Sequence, residues 1–311
     1  MMKDFKQSLL SVASLVIVLG TSAASHAQDD DFSHVEIETI PVAEDIYMLV
    51  GEGGNIGILA GEEGVFMVDN QFAPLTEKIT DVIAAITPEP IRFLVNTHWH
   101  FDHTGGNENF GNAGTVIVAH DEVYARMSTD QFIQAFQLAF PASPPAALPV
   151  ITFNDTVTFR LNGQTINIFH VEPAHTDGDS IVHFVEADVI HAGDIYFNGI
   201  YPFIDSDSSG GSVTGMIAAT ERLLALADED TKIIPGHGPL SNRAELEAYL
   251  RMLVDVRLRT ESAIAQGLTL EEFIASNPTA DYDEALGRSF ISPEQFQTIF
   301  YQDLAKQDLD I

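Results

Sequence analysis

The chain has 311 residues, of which 45% are hydrophobic, and a formal net charge of −32 with only 14 lysine and arginine residues. This length and apolar content suffice for one large globular domain or two small ones. The shortage of cationic side chains argues against a nucleic-acid partner, whose phosphates they would have to neutralise. Since the sequence has no cysteine, disulfides, thiolate nucleophiles and thiolate metal ligands are excluded.

The first 27 residues have the pattern of a secretory signal peptide. Lys3 and Lys6 precede an apolar run from Leu9 to Gly20, and small residues follow, with Ala27 at the expected cleavage position. The run is shorter than the roughly 20 residues that a membrane span needs. We therefore predict a protein that is periplasmic or secreted and does not associate with a membrane after cleavage.

Residues 28–311 are predicted to form one domain with a core at about 40–260. Short apolar runs separated by Gly-rich turns, such as "GEGGN", predict a β-meander over residues 35–69. Apolar residues at helical spacing then predict a helix over residues 75–86, and "IRFLVNT" and "GTVIVAH" predict two further strands. This β-α-β alternation is typical of an α/β layer architecture.

A second half repeats this order. Alternating segments with an Asn-Gly turn at positions 162 and 163 predict a hairpin over residues 150–171, and strand-like residues 181–197 continue it. A helix, the strand-like "TKIIPGHG" and a long amphipathic helix over residues 243–265 follow. Two such halves predict a four-layer αββα sandwich, with two sheets inside and helices outside.

The remaining segments are a carboxy-terminal extension and an insert. Thr269 with Glu272 and Ser292 with Gln295 form capping boxes, which predict short helices in a helical extension over residues 261–311. In the insert over residues 128–149 three phenylalanines recur at every fourth position, which predicts a helix with an aromatic face. That face would pack on the core or form a partly exposed lid over a pocket; the three residues are Phe132, Phe136 and Phe140.

The stretch "NTHWHFDHTGG" follows the buried-strand signal "IRFLV", so its polar residues lie where ligands bind in an α/β layer. If the extended geometry persists to residue 102, His98, His100 and Asp102 share one side of the strand. Two imidazoles two residues apart can hold one cation, and Asp102 with His103 can reach a second cation. Three further candidates end apolar runs elsewhere in the chain: His175, Asp194 and His237.

The motifs "HWHFDH", "AHTDGDS", "AGD" and "PGHG", in that order, with "GEGGNIGILAG" and "VDN" before them, resemble those of the metallo-β-lactamase-fold hydrolases. The resemblance covers roughly residues 40–260 and implies an αββα sandwich with a dinuclear zinc site. It implies that one zinc is bound by His98, His100 and His175 and the other by Asp102, His103 and His237. It also implies that Asp194 bridges the two metals.

Catalysis is expected to depend on Asp102 and Asp194. Two divalent cations offset the carboxylates, and a water shared between them loses a proton near neutral pH, which gives a hydroxide that can attack a carbonyl carbon. Zinc is the expected cofactor, two ions per chain, although sites of His and Asp also accept iron or manganese. Of the remaining histidines, His191 is expected to support the ligands and the others to be structural.

The sequence leaves the small-molecule substrate open among three interpretations. The leading one is an exported β-lactamase-type hydrolase that opens a cyclic amide. Asp194 in "AGDIYF" looks more like the aspartate of lactonases and other ester or thioester hydrolases of the fold, in which case the phenylalanines of the insert would hold an acyl chain. The segment "DIYFNGIYPF" also lacks the lysine with which some β-lactamases hold the carboxylate of the drug. Tyr196 and Asn198 are the expected polar contacts to the substrate. A non-catalytic zinc-binding relative is the third interpretation.

Overall fold

The computed structural model describes residues 31–308, so the predicted signal peptide lies outside the described residues. Within this range the chain alternates between strands and helices. The strands are β1 (Glu38–Ala43), β2 (Ile46–Val50), β3 (Ile56–Leu59), β4 (Val65–Val68), β5 (Ile91–Val95), β6 (Val116–His120), β7 (Gln131–Ile133), β8 (Leu138–Phe140), β9 (Ile151–Phe153), β10 (Thr156–Leu161), β11 (Gln164–His170), β12 (Ser180–Phe184), β13 (Val189–His191), β14 (Lys232–Ile234) and β15 (Ser241–Asn242). The helices are α1 (Thr76–Ile86), α2 (Phe101–Thr104), α3 (Asn107–Asn112), α4 (Asp121–Met127), α5 (Val213–Leu226), α6 (Arg243–Ala265), α7 (Leu270–Ala275), α8 (Ala280–Leu286) and α9 (Pro293–Asp308).

Two mixed sheets form the centre of the fold. The first has the order β1-β2-β3-β4-β5-β6-β9, in which an antiparallel meander continues into parallel strands from β4 onward. The second has the order β10-β11-β12-β13-β14-β15, with an antiparallel meander and a parallel β13-β14 pair. The turn between β10 and β11 has Asn162 and Gly163 at φ +51° and +76°, as a tight Asn-Gly hairpin requires.

The central strands β12 and β13 of the second sheet are buried on both faces, and their side chains alternate between two hydrophobic clusters. In β13, Val189 joins a cluster between the sheets, with Phe66 and Val95 of the first sheet. Its neighbour Ile190 joins the other cluster, which includes residues of α5, α6 and α9. This alternation follows from the two-residue period of a strand. On the first sheet α3 and α4 contact β6. The predicted four-layer αββα sandwich is confirmed.

The carboxy-terminal extension packs on the helical layer of the second sheet. Both predicted capping boxes form: Thr269 with Glu272 at α7, and Ser292, whose Oγ accepts from Gln295 N at 3.3 Å, at α9. Helix α9 has 16 residues rather than the short length predicted, and α8 was not predicted. Phe296 and Phe300 belong to the same hydrophobic cluster as α5 and α6, so the extension completes this layer.

The insert is a β-hairpin, so the prediction of a helix with an aromatic face is wrong. Strands β7 and β8 pair with each other, and Gln137 has φ +54° in the turn. The ends of the insert are joined, because Asp130 Oδ1 accepts from Ala142 N at 2.9 Å. A helix over these 12 residues would separate its ends by roughly 18 Å, at about 1.5 Å per residue. Closure of the loop therefore favours the hairpin.

The chain divides into a short unit that ends at His34, with a 3-10 turn over Phe32–His34, and a large unit that starts at Val35. Everything described below belongs to the large unit. Among the helices of residues 31–308, none combines the length and apolar character that a membrane crossing requires.

Candidate metal centre and cavity

The seven candidate ligands come together from four loops that follow strands. His98, His100, Asp102 and His103 follow β5, and the others follow β11, β13 and β14. Strand β5 ends at Val95, the chain bends at Thr97 and His98, and α2 begins at Phe101 with Asp102 in its first turn. The prediction that His98, His100 and Asp102 share one side of a strand is therefore wrong. The helical turn instead directs Asp102 and His103 to the same group of ligands.

The ligand atoms form three overlapping groups, each with its atoms within 4.8 Å of one another. The first group is His98, His100 and His175, and the last is Asp102, His103 and His237. These two groups correspond to the two sets that the sequence resemblance implied. Between them lies the group of His98, His103 and Asp194.

Asp194 lies between the two outer groups. Its Oδ1 is 3.0 Å from His103 Nε2, and its Oδ2 is 3.4 Å from His237 Nε2. The same Oδ2 is 3.5 Å from His175 Nε2 and 3.9 Å from His98 Nε2. A carboxylate in this position could help to hold a cation in each outer group, as the predicted bridging role requires.

Two buried atoms in this cluster fit a metal centre. His98 Nε2 has no hydrogen-bond partner among the described residues, and Asp194 Oδ1 makes no hydrogen bond of normal geometry even though His103 Nε2 is 3.0 Å away, whereas such buried polar atoms are normally satisfied. His98 is 1% exposed and Asp194 is 5% exposed, so bulk water does not readily compensate them. Imidazole nitrogens and carboxylate oxygens suit zinc and also iron or manganese. The residues present therefore fit divalent cations.

In the carboxylate part of the cluster, the carboxylates and the imidazoles shift one another's pKa values. Burial acts to raise the pKa of Asp102, but the adjacent His103 and His237 outweigh it and lower that pKa to about 2. Burial also acts to raise the pKa of Asp194, but His103 and His237 outweigh it and lower that pKa well below its ordinary value. Conversely, the carboxylates outweigh burial and raise the pKa of His237 to about 9 and that of His103 well above its ordinary value.

The other part of the cluster favours neutral imidazoles. Burial, aided by neighbouring His103, lowers the pKa of His98 well below its ordinary value, and burial lowers the pKa of His175 to about 4. His175 Nδ1 is 2.7 Å from the carbonyl oxygen of Phe203, so a proton on Nδ1 leaves Nε2 free to face the cluster. Neutral imidazole is the form that binds a metal.

We expect metal uptake to release protons. Without metal, His103 and His237 are protonated at pH 7 because their pKa values are raised, and a cation must displace these protons before the imidazoles can bind it. Loading chelator-treated protein with zinc in weak buffer at pH 7 should release about two protons per chain, and affinity should rise toward pH 9. A pH-indicator dye measures the release. Zinc uptake without proton release would contradict this charge assignment, and His237→Ala should lower the yield by about one proton.

Asp69 supports the candidate ligand His103, and the sequence pointed to it only as part of the motif "VDN". It is fully buried, its Oδ2 is 2.8 Å from His103 Nδ1, and it accepts hydrogen bonds from the backbone N and the hydroxyl of Thr97. These contacts fix both the His103 ring and the start of the loop that contains His98. Its position directly after β4 is a signal that could have identified it, since ligands and their supports collect where such strands end.

A cavity of about 460 Å³ opens onto the cluster. Asp102, Asp194 and His237 contribute polar surface to it, and its walls are mainly apolar. The lining residues are Glu52, Gly53, Phe72, His100, Phe101, Asp102, Ile133, Phe136, Leu138, His175, Asp194, Phe203, His237 and Phe290.

Of the phenylalanines predicted to contact the substrate, Phe136 lies in this cavity and Phe132 does not. Phe136, at the turn of the β7-β8 hairpin, lines it and contacts Phe203 with ring centroids 4.9 Å apart. Phe132 is 45% exposed and is not among the lining residues, because its strand directs it to solvent. Phe140 stacks on Phe101 at 4.7 Å and supports the wall from behind.

The prediction that Tyr196 and Asn198 contact the substrate does not fit their positions. Tyr196 is fully buried and its hydroxyl is 2.7 Å from Ser241 Oγ, while Asn198 donates to the carbonyl oxygen of Pro239 at 3.1 Å. Both line a different cavity, beside α6. The chain bends after Asp194, so these residues lie behind the ligand loop, and Phe197 between them stacks on His237 at 5.3 Å.

His191 supports the site through the backbone rather than through a ligand side chain. It is fully buried, its Nε2 is 3.1 Å from the carbonyl oxygen of Asn55, and its Nδ1 accepts from Gly193 N. Asn55 in turn donates to the carbonyl oxygens of Pro235 and Gly238, on either side of His237. His191 therefore links the Gly-rich loop to the loops that contain Asp194 and His237.

Comparison with protein families decides the identity of the fold. The model of the metallo-β-lactamase superfamily matches residues 49–237, which is more than half of the chain and includes all seven candidate ligands. The chain belongs to the metallo-β-lactamase superfamily. Within a superfamily of this kind the fold does not determine the substrate, which has to be argued from the site.

The relatives differ in what they act on. Over 220 residues the chain is 25% identical to the 2,4-dinitroanisole O-demethylase subunit alpha of Nocardioides sp. (strain JS1661), covering 69% of this chain and 62% of that protein. It is 26% identical over 159 residues to the bovine (Bos taurus) acyl-coenzyme A thioesterase MBLAC2, covering 46% and 54%. These matches span less than two thirds of each relative. A solved metallo-β-lactamase from Pontibacter korlensis shares the fold, with TM-score 0.59, 18% identity and coverage of 71% of this chain and 100% of that one.

Proposed function

We propose that the protein is a metal-dependent hydrolase of carboxylic esters or lactones with an uncharged, apolar acyl chain. The observation that carries this proposal is the apolar part of the cavity lining beside the ligand cluster, formed by Phe72, Phe136, Leu138, Phe203 and Phe290. Such a wall gains free energy from burying hydrocarbon but offers no partner to an anion. The identity of the bovine relative as an acyl-coenzyme A thioesterase supports an acyl substrate.

The charge of the cavity supports an uncharged substrate. Its described lining has no lysine or arginine and includes Glu52. A carboxylate or phosphate on the substrate would lack the charge-assisted hydrogen bonds that normally hold such groups. The net charge of −32 would also slow the approach of anions.

The chain's own residues would bind and orient the reactants. The seven clustered residues would hold two divalent cations, with Asp194 between them. When bound, such cations polarise a carbonyl and activate a water molecule. Asp69 and the Phe203 carbonyl fix the imidazoles of His103 and His175, so the ligand set requires little reorganisation. The aromatic wall excludes bulk water and places the acyl chain away from the cluster.

Opening of a β-lactam is the second candidate function. It is favoured by the predicted signal peptide, because a secreted enzyme would meet such compounds outside the cytoplasm. It is opposed by the lack of a cationic side chain for the carboxylate that these drugs have. We rank it below ester or lactone hydrolysis for this reason.

One panel separates the candidates. Zinc-loaded protein is assayed with p-nitrophenyl esters of increasing chain length, a long-chain N-acyl-homoserine lactone and a chromogenic cephalosporin. We expect kcat/KM to be highest for a long-chain ester or lactone and lowest for the cephalosporin. The reverse order would support the β-lactam candidate, and no turnover of any substrate by protein with two bound metals would reject the hydrolase proposal.

Phe136 should control the preference for chain length. Phe136→Ala removes aromatic surface from the cavity wall, and loss of a buried side chain of this size is worth about 1.5–3 kcal/mol. We therefore expect kcat/KM for a decanoyl ester to fall by about 10- to 100-fold, since about 1.4 kcal/mol corresponds to tenfold. The acetyl ester should change little. Phe132→Ala, on the solvent side of the same hairpin, is the matched control, and an equal loss for both esters would contradict the assignment.

A further inference from the structure

A chain of buried polar groups runs from Trp99 to His100. Trp99 Nε1 donates to Ser209 Oγ at 3.0 Å, and Ser209 Oγ donates to Asp205 Oδ2 at 2.5 Å. The same Oδ2 is 3.2 Å from His100 Nε2. All four residues are at most 4% exposed. The contacts therefore operate in a region of low dielectric constant, where a hydrogen bond to a carboxylate orients its partner strongly.

The contact with Asp205 determines which nitrogen of His100 faces the ligand cluster. A carboxylate only accepts, so the proton of His100 lies on Nε2. The lone pair is then on Nδ1, which is 2.8 Å from His175 Nε2, inside the group of His98, His100 and His175. His100 is thus presented to a cation through Nδ1, whereas His98 and His175 present Nε2.

Asp205 also connects this imidazole to the neighbouring ligand. Asp205 N donates to the carbonyl oxygen of His175 at 2.9 Å, so the same residue contacts two of the three members of the group. Its Oδ1 accepts from Ser208 N at 3.2 Å, which leaves Oδ2 for His100 and Ser209. The arrangement parallels that of Asp69 and His103 on the other side of the cluster.

We propose that Asp205 is a positioning residue for the metal centre, which fixes the tautomer and ring orientation of His100 so that Nδ1 is available to the cation held by His98, His100 and His175. This inference rests on the proposed metal-binding function of the cluster and on no particular substrate. Carboxylates that hydrogen-bond a metal-bound histidine typically contribute 10- to 100-fold to metal affinity.

The test measures metal binding rather than hydrolysis. The amide of Asp205→Asn has two possible orientations, and both lose a hydrogen bond. If its nitrogen faces His100 Nε2, it cannot accept the proton of that imidazole. If its oxygen faces His100 instead, its nitrogen faces Ser208 N, which is also a donor. Competition with a chromogenic chelator should show one zinc bound about 10- to 100-fold more weakly and the other little changed. Asp177→Asn is the matched control, because Asp177 pairs with Arg126 nearby and contacts none of the clustered imidazoles in the described structure.

Two further measurements distinguish positioning from a general structural effect. Long-range ¹H–¹⁵N spectra of metal-free protein should show His100, assigned by its loss in His100→Gln, with its proton on Nε2 in the wild type and not in Asp205→Asn. In a double-mutant cycle, Asp205→Asn should change zinc affinity little when His100 is already Gln. If Asp205→Asn fails to fold, Ser209→Ala takes its place as the test. This milder substitution removes a donor to Asp205 and should give a smaller loss of affinity for the same zinc.

Several results would overturn the inference. Unchanged affinity for both metals in folded Asp205→Asn would do so, as would additive losses in the cycle with His100→Gln. An equal loss in Asp177→Asn would show a charge effect of the whole region instead. Wild-type protein that binds no divalent metal would reject the metal centre and the inference together. Protein that binds two metals but hydrolyses no ester would reject only the proposed activity.

Discussion

Asp194→Asn should lower kcat/KM for the preferred substrate by about 10³-fold, because several kcal/mol of transition-state stabilisation depend on the two cations that this residue would bridge. The substitution preserves shape but removes the negative charge and replaces one carboxylate oxygen with an amide that donates. Asp194 is within 3.9 Å of four imidazole nitrogens, so the loss affects both outer groups of ligands. Elemental analysis should show fewer than two metals per chain.

The matched control for this substitution is Asp188→Asn. Asp188 lies in the turn before β13, the strand that leads to Asp194, and it has φ +54°, which asparagine tolerates. Its Oδ1 accepts from the Thr231 hydroxyl at 2.8 Å, and an amide oxygen can keep that bond. Activity and metal content should therefore stay near those of the wild type. Asp194→Asn with two metals and activity within about threefold of wild type would refute the bridging role.

The candidate ligand positions could be identified from sequence because each has a local signal, and the resemblance to the superfamily joined them into one set. His98, His175, Asp194 and His237 all follow apolar segments that form strands, and loops at strand ends converge at one edge of a layered fold. The histidine spacing in "HWHFDH" also limited the number of ways in which one chain can hold two cations. These constraints are properties of the chain near each ligand, so they do not depend on knowing the tertiary structure.

Asp205, unlike Asp69 and His191, had no comparable signal. Asp205 lies in the irregular segment "FIDSDSSGG", 105 residues from His100, and only the tertiary fold brings the two together. Tyr196 failed as a prediction for the same reason, since proximity to Asp194 in sequence does not determine the side of the loop that a residue faces. The helix predicted for the insert failed because a period of four cannot reveal that Asp130 and Ala142 are joined.

The glycines of the Gly-rich loop are required for two different reasons. The sequence explains "GEGGN" as the turn between β2 and β3, and Gly53 fits this explanation with φ +93°. Gly54 has no such backbone requirement. A Cβ at Gly54 would lie 2.1 Å from His103 Cε1 and 2.4 Å from His103 Nε2, far inside van der Waals contact. The imidazole of His103 therefore requires a residue without a side chain at position 54.

Gly54→Ala should therefore damage the metal centre without direct removal of a ligand. The backbone at Gly54 is held by Asp102 O, which accepts from Gly54 N at 3.1 Å, and by Gln71, which donates to Gly54 O. His103 is fully buried and hydrogen-bonded to Asp69, so moving its ring would break that contact. We expect the affinity of the Asp102, His103 and His237 group for metal to fall, and kcat/KM to fall by about 10²-fold, as a 1 Å misplacement can cause.

Gly163→Ala separates this clash from ordinary backbone strain. Gly163 has φ +76° in the hairpin turn between β10 and β11, and nothing lies within 4 Å of the position of its Cβ. Alanine there should cost about 1–2 kcal/mol of stability, measured by chemical denaturation, but leave metal content and kcat/KM intact. Gly54→Ala should show the opposite pattern, with loss of one metal and of activity at a melting temperature of the metal-free protein that still indicates folding. If Gly54→Ala retained both metals and full activity, His103 would have another position from which to bind, and the second ligand group would have to be reassigned.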